Sequence, residues 1–299
     1  MKTISTNNTA FYHIVAILTV MIWGTTFIST KKLLVVGMQP EEIFFMRFLL
    51  AYICIWFISP RKLFAESWKD EVQMALLGFF GGTLFFVAEN KAVGFTYVND
   101  VSFIGCTAPL MTVMLALIFF RDSVKMSWKL LIGSIIAMAG VGVVIFNGQF
   151  VLHVDLRGYF LALFASFSWA IYSLIMKRIS SRYSAVFITR KVFFYGVLGT
   201  LPFFLISPWT FPLSGFLDLK VCGNLLFLGV LASFACFATW SWAIAKLGAL
   251  KTSNYIYLNP ITTVIASAIF LDEPMTLMAY LGSALILIGV YFANKAEGI

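Results

Sequence analysis

Along its whole length the chain alternates apolar runs of roughly 20 residues with short polar joints. A helix rising about 1.5 Å per residue needs that many residues to cross a hydrocarbon core of about 30 Å, so each run predicts a membrane-spanning helix. Ten spans are predicted, at roughly 12–35, 42–59, 72–94, 97–120, 127–147, 156–177, 184–206, 219–243, 250–271 and 277–294. The first is too long for a cleaved leader and lacks a small-x-small cleavage site, so it reads as a retained span. No joint is long enough to fold by itself. The longest, Ser207 to Lys220, carries Trp209 and Phe211 and is expected in the headgroup layer. Function must therefore reside in the bundle.

The pattern occurs twice. Tyr97 to Phe120 has a polar first half, Pro109 near its middle and an apolar second half; Gly248 to Leu271 repeats this with Pro260, 151 positions after Pro109. Downstream, Gly133-Ser134 and Gly140-Val141 return 149 positions later as Gly282-Ser283 and Gly289-Val290. Two registers so close argue for a duplicated chain, 1–150 and 151–299. Five crossings is an odd number, so the second copy enters the membrane upside down. The expected fold is an all-α membrane protein of ten transmembrane helices in two inverted five-helix repeats, with a site near the midplane where the halves meet.

Composition agrees. Hydrophobic residues make up 61% of the chain and charged ones 11%, and the mean hydropathy is +0.94. Soluble chains have about 45–50% apolar and 25% charged residues, so a soluble domain is excluded. The net charge of +8 sits in short joints, where it reads as a topology signal and not as a nucleic-acid surface. With the N-terminus inside, thirteen Lys and Arg fall on the cytoplasmic side and five opposite, which places both termini in the cytoplasm. Cys54, Cys106, Cys222 and Cys236 lie in or beside apolar runs at spacings that fit no metal site, so neither disulfide nor zinc is expected. His13 and His153 lie at a span edge and in an outer joint. No nucleophile-plus-base pair or paired carboxylate stands within the spans, and nothing points to an enzyme, a cofactor or a metal.

Polar residues inside hydrocarbon face a bundle interior or a wet cavity, which makes them the candidates. Trp23 and Thr26 share one stripe of the first helix with Thr19 and Thr30; Ser166, Trp169, Ser173 and Lys177 repeat it in the sixth, where Tyr172 is a further candidate. Ser102, Cys106 and Pro109 align in the fourth helix as Ser253, Tyr257 and Pro260 do in the ninth, with Asn254 beside them. The hydroxyls equally suit bonds to their own helix or to neighbours. Pro109 and Pro260 remove a backbone donor and serve as packing kinks, as hinges, or as openings that expose carbonyls to a cavity.

Arg47 and Glu89 enter from the same side at similar depth, so an ion pair is geometrically open to them; Asn90, Lys91 and Asp100 belong to the same outer region. A paired Glu89 would stay charged, whereas a lone buried one would favour its neutral form and could carry a proton. Arg47 alternatively snorkels to headgroups. Arg190 occupies the matching place in the second half, but the counterpart of Glu89 is Trp240. Any gate built on Arg47, Glu89 and Arg190 is thus lopsided. The glycines of the third and fifth helices (Gly133 with Ala137 in particular) suit close packing within the bundle or across a homodimer.

Trp23-Gly24, Arg47-Phe48, Ala108-Pro109-Leu110, Gly133 and Gly140, then Trp169-Ala170, Asn259-Pro260, Leu271-Asp272-Glu273-Pro274, Gly282 and Gly289, stand in an order that resembles the drug/metabolite transporter superfamily, in particular its EamA-type ten-helix members. The likeness covers nearly the whole chain. It departs at Arg121-Asp122, where the first repeat of the family often ends in Gly-Glu, and Glu89-Asn90 looks like a subgroup feature. The resemblance implies a bacterial inner-membrane secondary transporter with a central cavity, helices five and ten at the back, and export of a small amino-acid-like or drug-like metabolite by alternating access. An uncoupled facilitator of the same fold and a non-transporting membrane scaffold are the alternatives. The implied partners are a small-molecule substrate and the lipid bilayer; protons enter only through the reading of Glu89 as a buried carboxyl, and the resemblance carries no coupling ion over.

Overall fold

The computed structural model describes residues 6–59, 62–95, 98–119, 128–146, 156–270 and 277–295. Arg121-Asp122, His153, Leu271 to Pro274 and the side chain of Asp100 lie outside the described residues. Among those described, ten helical spans follow one another: α1 (Thr6–Val35), α2 (Pro40–Trp56), α3 (Trp68–Phe95), α4 (Val98–Gly105 and Ala108–Phe119), α5 (Trp128–Phe146), α6 (Leu156–Ile179), α7 (Ala185–Ile206), α8 (Leu219–Leu247), α9 (Ala249–Ser253, Asn254–Leu258 and Asn259–Phe270) and α10 (Leu277–Lys295). α1, α3, α6, α7 and α8 are each long and apolar enough to cross a membrane by themselves. The others are shorter or broken and complete a ten-helix membrane protein.

Local signals set the helix starts. Pro40 opens α2 where its missing N–H costs nothing, and Glu42 reaches back to the Gln39 N–H at 2.8 Å. Ser67 caps α3, and Asp218, 151 positions later, caps α8. The segment between α7 and α8 is structured. Glu42 accepts the backbone N–H groups of Thr210 and Phe211, and Trp209 gives its indole N–H to Phe211 O at 2.7 Å. Leu213, Leu217 and Leu219 stand exposed around it, consistent with an apolar surround.

The packing is that of inverted repeats. α1 packs on α8 and α9 as α6 packs on α3 and α4, and α2 packs on α8 as α7 packs on α3. The self-related pairs run antiparallel. In α2 and α7, Phe48 meets Phe193 at 5.0 Å and Tyr52 meets Phe194 at 5.8 Å, while Trp56 lies under Arg190 at 4.8 Å. Between α5 and α10, Gly140 faces Gly282 and Ile286, whereas Gly289 faces Gly133 and Ala137. A Cβ at Gly140 would sit 2.7 Å from the Gly282 carbonyl oxygen, too close for carbon. The glycine pattern is therefore used inside the bundle, to bring these two backbones together. Gly140→Ala is expected to cost about 1–3 kcal/mol through overpacking, read as a lowered midpoint of thermal unfolding in detergent.

The end bearing the α2–α3 joint is closed by charge. Glu71 takes an ion pair from Lys191 and hydrogen bonds from the Tyr195 hydroxyl and Ala65 N–H, while Asp70 pairs with Arg182. Tyr183, between α6 and α7, donates its O–H to Asp70 at 2.9 Å and accepts from Glu66 N–H at 2.8 Å. Burial, and then the Asp70 carboxylate, hold its phenol above the ordinary range. Arg190 reaches the Lys62 carbonyl in the same region.

Candidate functional site

The two repeat-related prolines mark where the helices break. Pro109 leaves Gly105 O without its helical donor, and Pro260 does the same to Ile256 O. α4 turns at Cys106-Thr107, and α9 tightens into a 3₁₀ stretch over Asn254–Leu258. The two breaks meet: Cys106 Sγ lies 3.7 Å from Ile256 O. Ser166 of α6 donates to Ile104 O at 3.0 Å and so anchors the α4 break.

The second device is a pair of π-helical turns, Phe79–Leu84 in α3 and Phe227–Ala235 in α8, at matching places in the repeats. Their small residues admit close neighbours. Gly82 lies against Phe48, and Gly229 lies against Leu50 and the Arg47 carbonyl. A π turn widens the helix and aims groups that an α-helix would keep in register. In α8 it presents Ala232 O to the Trp23 indole N–H at 2.9 Å, and Ser233 Oγ to Arg47 Nε at 2.9 Å.

Between these devices lies a cavity with a free interior of about 60 Å³, lined by Trp23, Thr26 and Phe27 of α1, Arg47 of α2, Phe85, Phe86 and Glu89 of α3, Gly105 and Ala108 of α4, Trp169 of α6, and Ile256 and Asn259 of α9. At about 10–15 Å³ per water it holds a few waters in this conformation. It occupies the half of the bundle nearer the α1–α2 turn. Its floor is aromatic. Trp23 meets Trp240 at 4.9 Å and Trp169 at 5.3 Å, and Trp169 meets Tyr172 at 4.9 Å.

The charges on its wall come from one repeat. The Arg47 guanidinium lies 4.1 Å from the Phe86 ring centroid, and Arg47 is 1% exposed, so it does not snorkel. Both Arg47 and Glu89 line the cavity, and among the described residues they do not close to ion-pair distance. A guanidinium and a carboxyl group thus stand apart on the wall of a largely aromatic cavity. Two further polar atoms on residues of the wall, Trp169 Nε1 and Asn259 Oδ1, are buried without a hydrogen-bond partner among the described residues.

Of the residues singled out from sequence, Trp23, Thr26, Arg47, Glu89 and Trp169 line this cavity. Tyr172 and Trp240 are fully buried in its floor. Asn90 gives its amide to Pro40 O at 3.1 Å and ties α3 to the start of α2. Cys106 lies at the α4–α9 crossing, and Tyr257 is buried beside Ser134. Asn254 is buried, and its amide has no partner among the described residues. Arg190 stands at the other end of the bundle, over Trp56. Sequence reasoning passed over Phe27, Phe85, Phe86 and Asn259. The first three read as ordinary lipid-facing or core phenylalanines, and Asn259 signalled itself only by preceding Pro260.

Beyond the cavity, towards the α1–α2 turn, lies a wider vestibule bounded by Lys31, Glu41 and Lys91. Lys91 pairs with Glu41 at 2.6 Å, and Lys31 donates to Val93 O at 3.0 Å. These links hold α1, α2 and α3 together at that end.

The chain matches the model of the "EamA-like transporter family" twice, over residues 10–146 and 156–295. It is 29% identical over 286 residues to an "Uncharacterized transporter" of Archaeoglobus fulgidus, covering 94% of this chain and 98% of that protein. It is 27% identical over 297 residues to a "Probable amino-acid metabolite efflux pump" of Escherichia coli, covering 93% of each. A "Probable terminal-alkyne amino-acid exporter" of Streptantibioticus cattleyicolor is 23% identical, with 93% and 92% covered. One solved crystal structure aligns with a TM-score of 0.75 at 16% identity, over 96% of this chain and 97% of that one, and shares its fold.

Proposed function

The chain belongs to the EamA-like transporter family, and we propose that it exports a small zwitterionic organic metabolite, of amino-acid type, across a bacterial inner membrane by alternating access. It is a multi-pass membrane protein that handles a small molecule within a lipid environment. In the proposed orientation both termini are cytoplasmic, and the cavity lies in the outer half. The observation that carries the reading is the separated pair on one wall: Arg47 for the substrate carboxylate, Glu89 for its ammonium group, and Phe27, Phe85 and Trp169 for an apolar side chain. Arg suits a carboxylate because its planar fork bonds two oxygens at once, and Ser233 and Phe86 hold that fork in one plane. The amino-acid names carried by two of the relatives point the same way.

A substrate larger than a few waters needs the cavity to widen, and the repeat breaks at Pro109 and Pro260 are the places to bend. Coupling to protons is assigned to Glu89, the one acidic side chain on the wall among the described residues. Efflux from proteoliposomes loaded with a panel of amino acids tests both statements. Glu89→Gln is expected to lower the rate at least 10-fold, as loss of a charged partner costing about 1.5–3 kcal/mol would, and to flatten its dependence on an imposed pH gradient. Full rate with unchanged pH dependence would remove Glu89 from the mechanism. Wild-type flux indifferent to both pH gradient and membrane potential would select an uncoupled facilitator instead.

A further inference from the structure

Trp23 and Trp169 are counterparts, each at the same place in its repeat, yet they stand in different states. Trp23 has given its indole N–H to Ala232 O in the π turn of α8. Trp169 lines the cavity with its indole N–H buried and without a partner among the described residues. The helix packing around the two rings is nevertheless equivalent. α6 packs on the π turn of α3 just as α1 packs on the π turn of α8. The position matching Ala232, 151 residues earlier, is Gly81, inside the α3 π turn.

What occupies that place now is visible. Ser168 Oγ donates to Phe80 O at 2.8 Å, and the Tyr172 ring lies against Gly81. Trp169 turns away from it and packs on Phe85, with ring centroids 4.8 Å apart. An indole N–H with no protein acceptor gains a hydrogen bond when a second arrangement, or a bound substrate, supplies one.

From this asymmetry we infer that Trp23 and Trp169 dock alternately, Trp23 on the α8 π turn in the conformation described and Trp169 on the α3 π turn around Phe80 and Gly81 in the opposite-facing one. In the second state Trp23 is the released indole. The two rings touch at the cavity floor, so docking of one displaces the other, and the free N–H always belongs to the ring facing the open half. This inference rests on the alternating-access reading above and supplies its moving parts. Both tryptophans act here as positioning residues for the two states. Each docking bond biases the equilibrium between the states, by as much as its strength differs between them.

The test uses the full chain without its four native cysteines, in detergent, with one reporter cysteine at a time. Thr26→Cys reports on the cavity half, and Ala243→Cys, buried in the opposite half, reports on the other. The rate of maleimide labelling is read at each. Trp23→Phe keeps the ring and deletes the docking bond. It should slow labelling at 26 and speed it at 243, by about 2- to 10-fold, the range for one neutral hydrogen bond. Trp169→Phe deletes the bond of the other state and should shift both rates the opposite way. Ser168→Ala, which clears Phe80 O for Trp169, should act like Trp23→Phe and carries that arm if the tryptophan variant does not accumulate. A merely structural role predicts shifts of one sign for both tryptophan variants, and that result, or no shift at all, overturns the inference. Amino-acid flux measured on the same proteins separates the two readings. Opposed shifts without any amino-acid flux would leave the docking intact and remove the amino-acid substrate; flux without shifts would do the reverse.

Discussion

Replacing Arg47 with alanine is expected to raise the half-saturating concentration of an amino-acid substrate roughly 100-fold, or about 3 kcal/mol. Two losses combine. The substrate carboxylate loses its counter-charge in a site screened from water by Trp23, Phe86 and Trp169, where charge-assisted bonds are strongest. Glu89 is left without the cation that shares its cavity, and a lone buried carboxylate favours its neutral form, so the site for the substrate ammonium group weakens as well. Arg47→Lys separates the effects. It retains the charge but loses the Nε bond to Ser233 and the flat stacking on Phe86. An intermediate rise of about 10-fold is expected, because lysine is a point charge without the fork. Measurement of initial efflux rates against internal substrate concentration distinguishes the three proteins. If Arg47→Ala leaves the concentration dependence unchanged, Arg47 does not bind substrate, whatever it does for the fold.

Much of this architecture is legible in the sequence because the membrane imposes it. Hydrocarbon requires every backbone group to be satisfied within its own segment, so run length alone marks the helices. α1 to α10 accordingly fall within a few residues of the predicted spans. The duplication was readable from Pro109 and Pro260 because proline cannot be placed freely in a helix, and inversion followed from an odd number of crossings. The antiparallel passage of Gly133–Gly140 along Gly282–Gly289 is that inversion seen directly.

The cavity was half legible. Arg47, Glu89 and the two tryptophans announce themselves because polar groups in hydrocarbon are rare. Phe85 and Phe86 do not, since the burial of a phenylalanine says nothing about which side faces water. The π turns were hidden for a different reason. Phe48, Leu50 and Tyr172 from other helices lie against Gly82, Gly229 and Gly81 within them, contacts that a sequence does not display, and a glycine cluster in one run reads simply as a packing surface. The clasp at the far end was hidden as well. Asp70 and Glu71 look like headgroup-facing charges at a helix start until α7 brings Lys191 and Tyr195 across to them.

That clasp yields the largest expected effect on stability. Glu71 is 8% exposed and Lys191 4%, and Glu71 also serves the Tyr195 hydroxyl and the Ala65 N–H. Glu71→Ala deletes an acceptor for three donors and leaves the Lys191 ammonium buried among Phe64, Phe187 and Phe194. Breaking a buried pair from one side costs about 3–5 kcal/mol. Part of this loss falls on the state described here in particular, since α3 and α7 are held together at that end by Glu71–Lys191 and α3 and the α6–α7 turn by Asp70–Arg182. The double variant Glu71→Ala with Lys191→Met removes the stranded charge and keeps its bulk. It should recover more than half of the lost thermal stability. A labelling rate at Ala243→Cys that stays raised in the double variant would show that the ion pair keeps this end shut; a rate that returns to the starting value would assign the pair to folding alone.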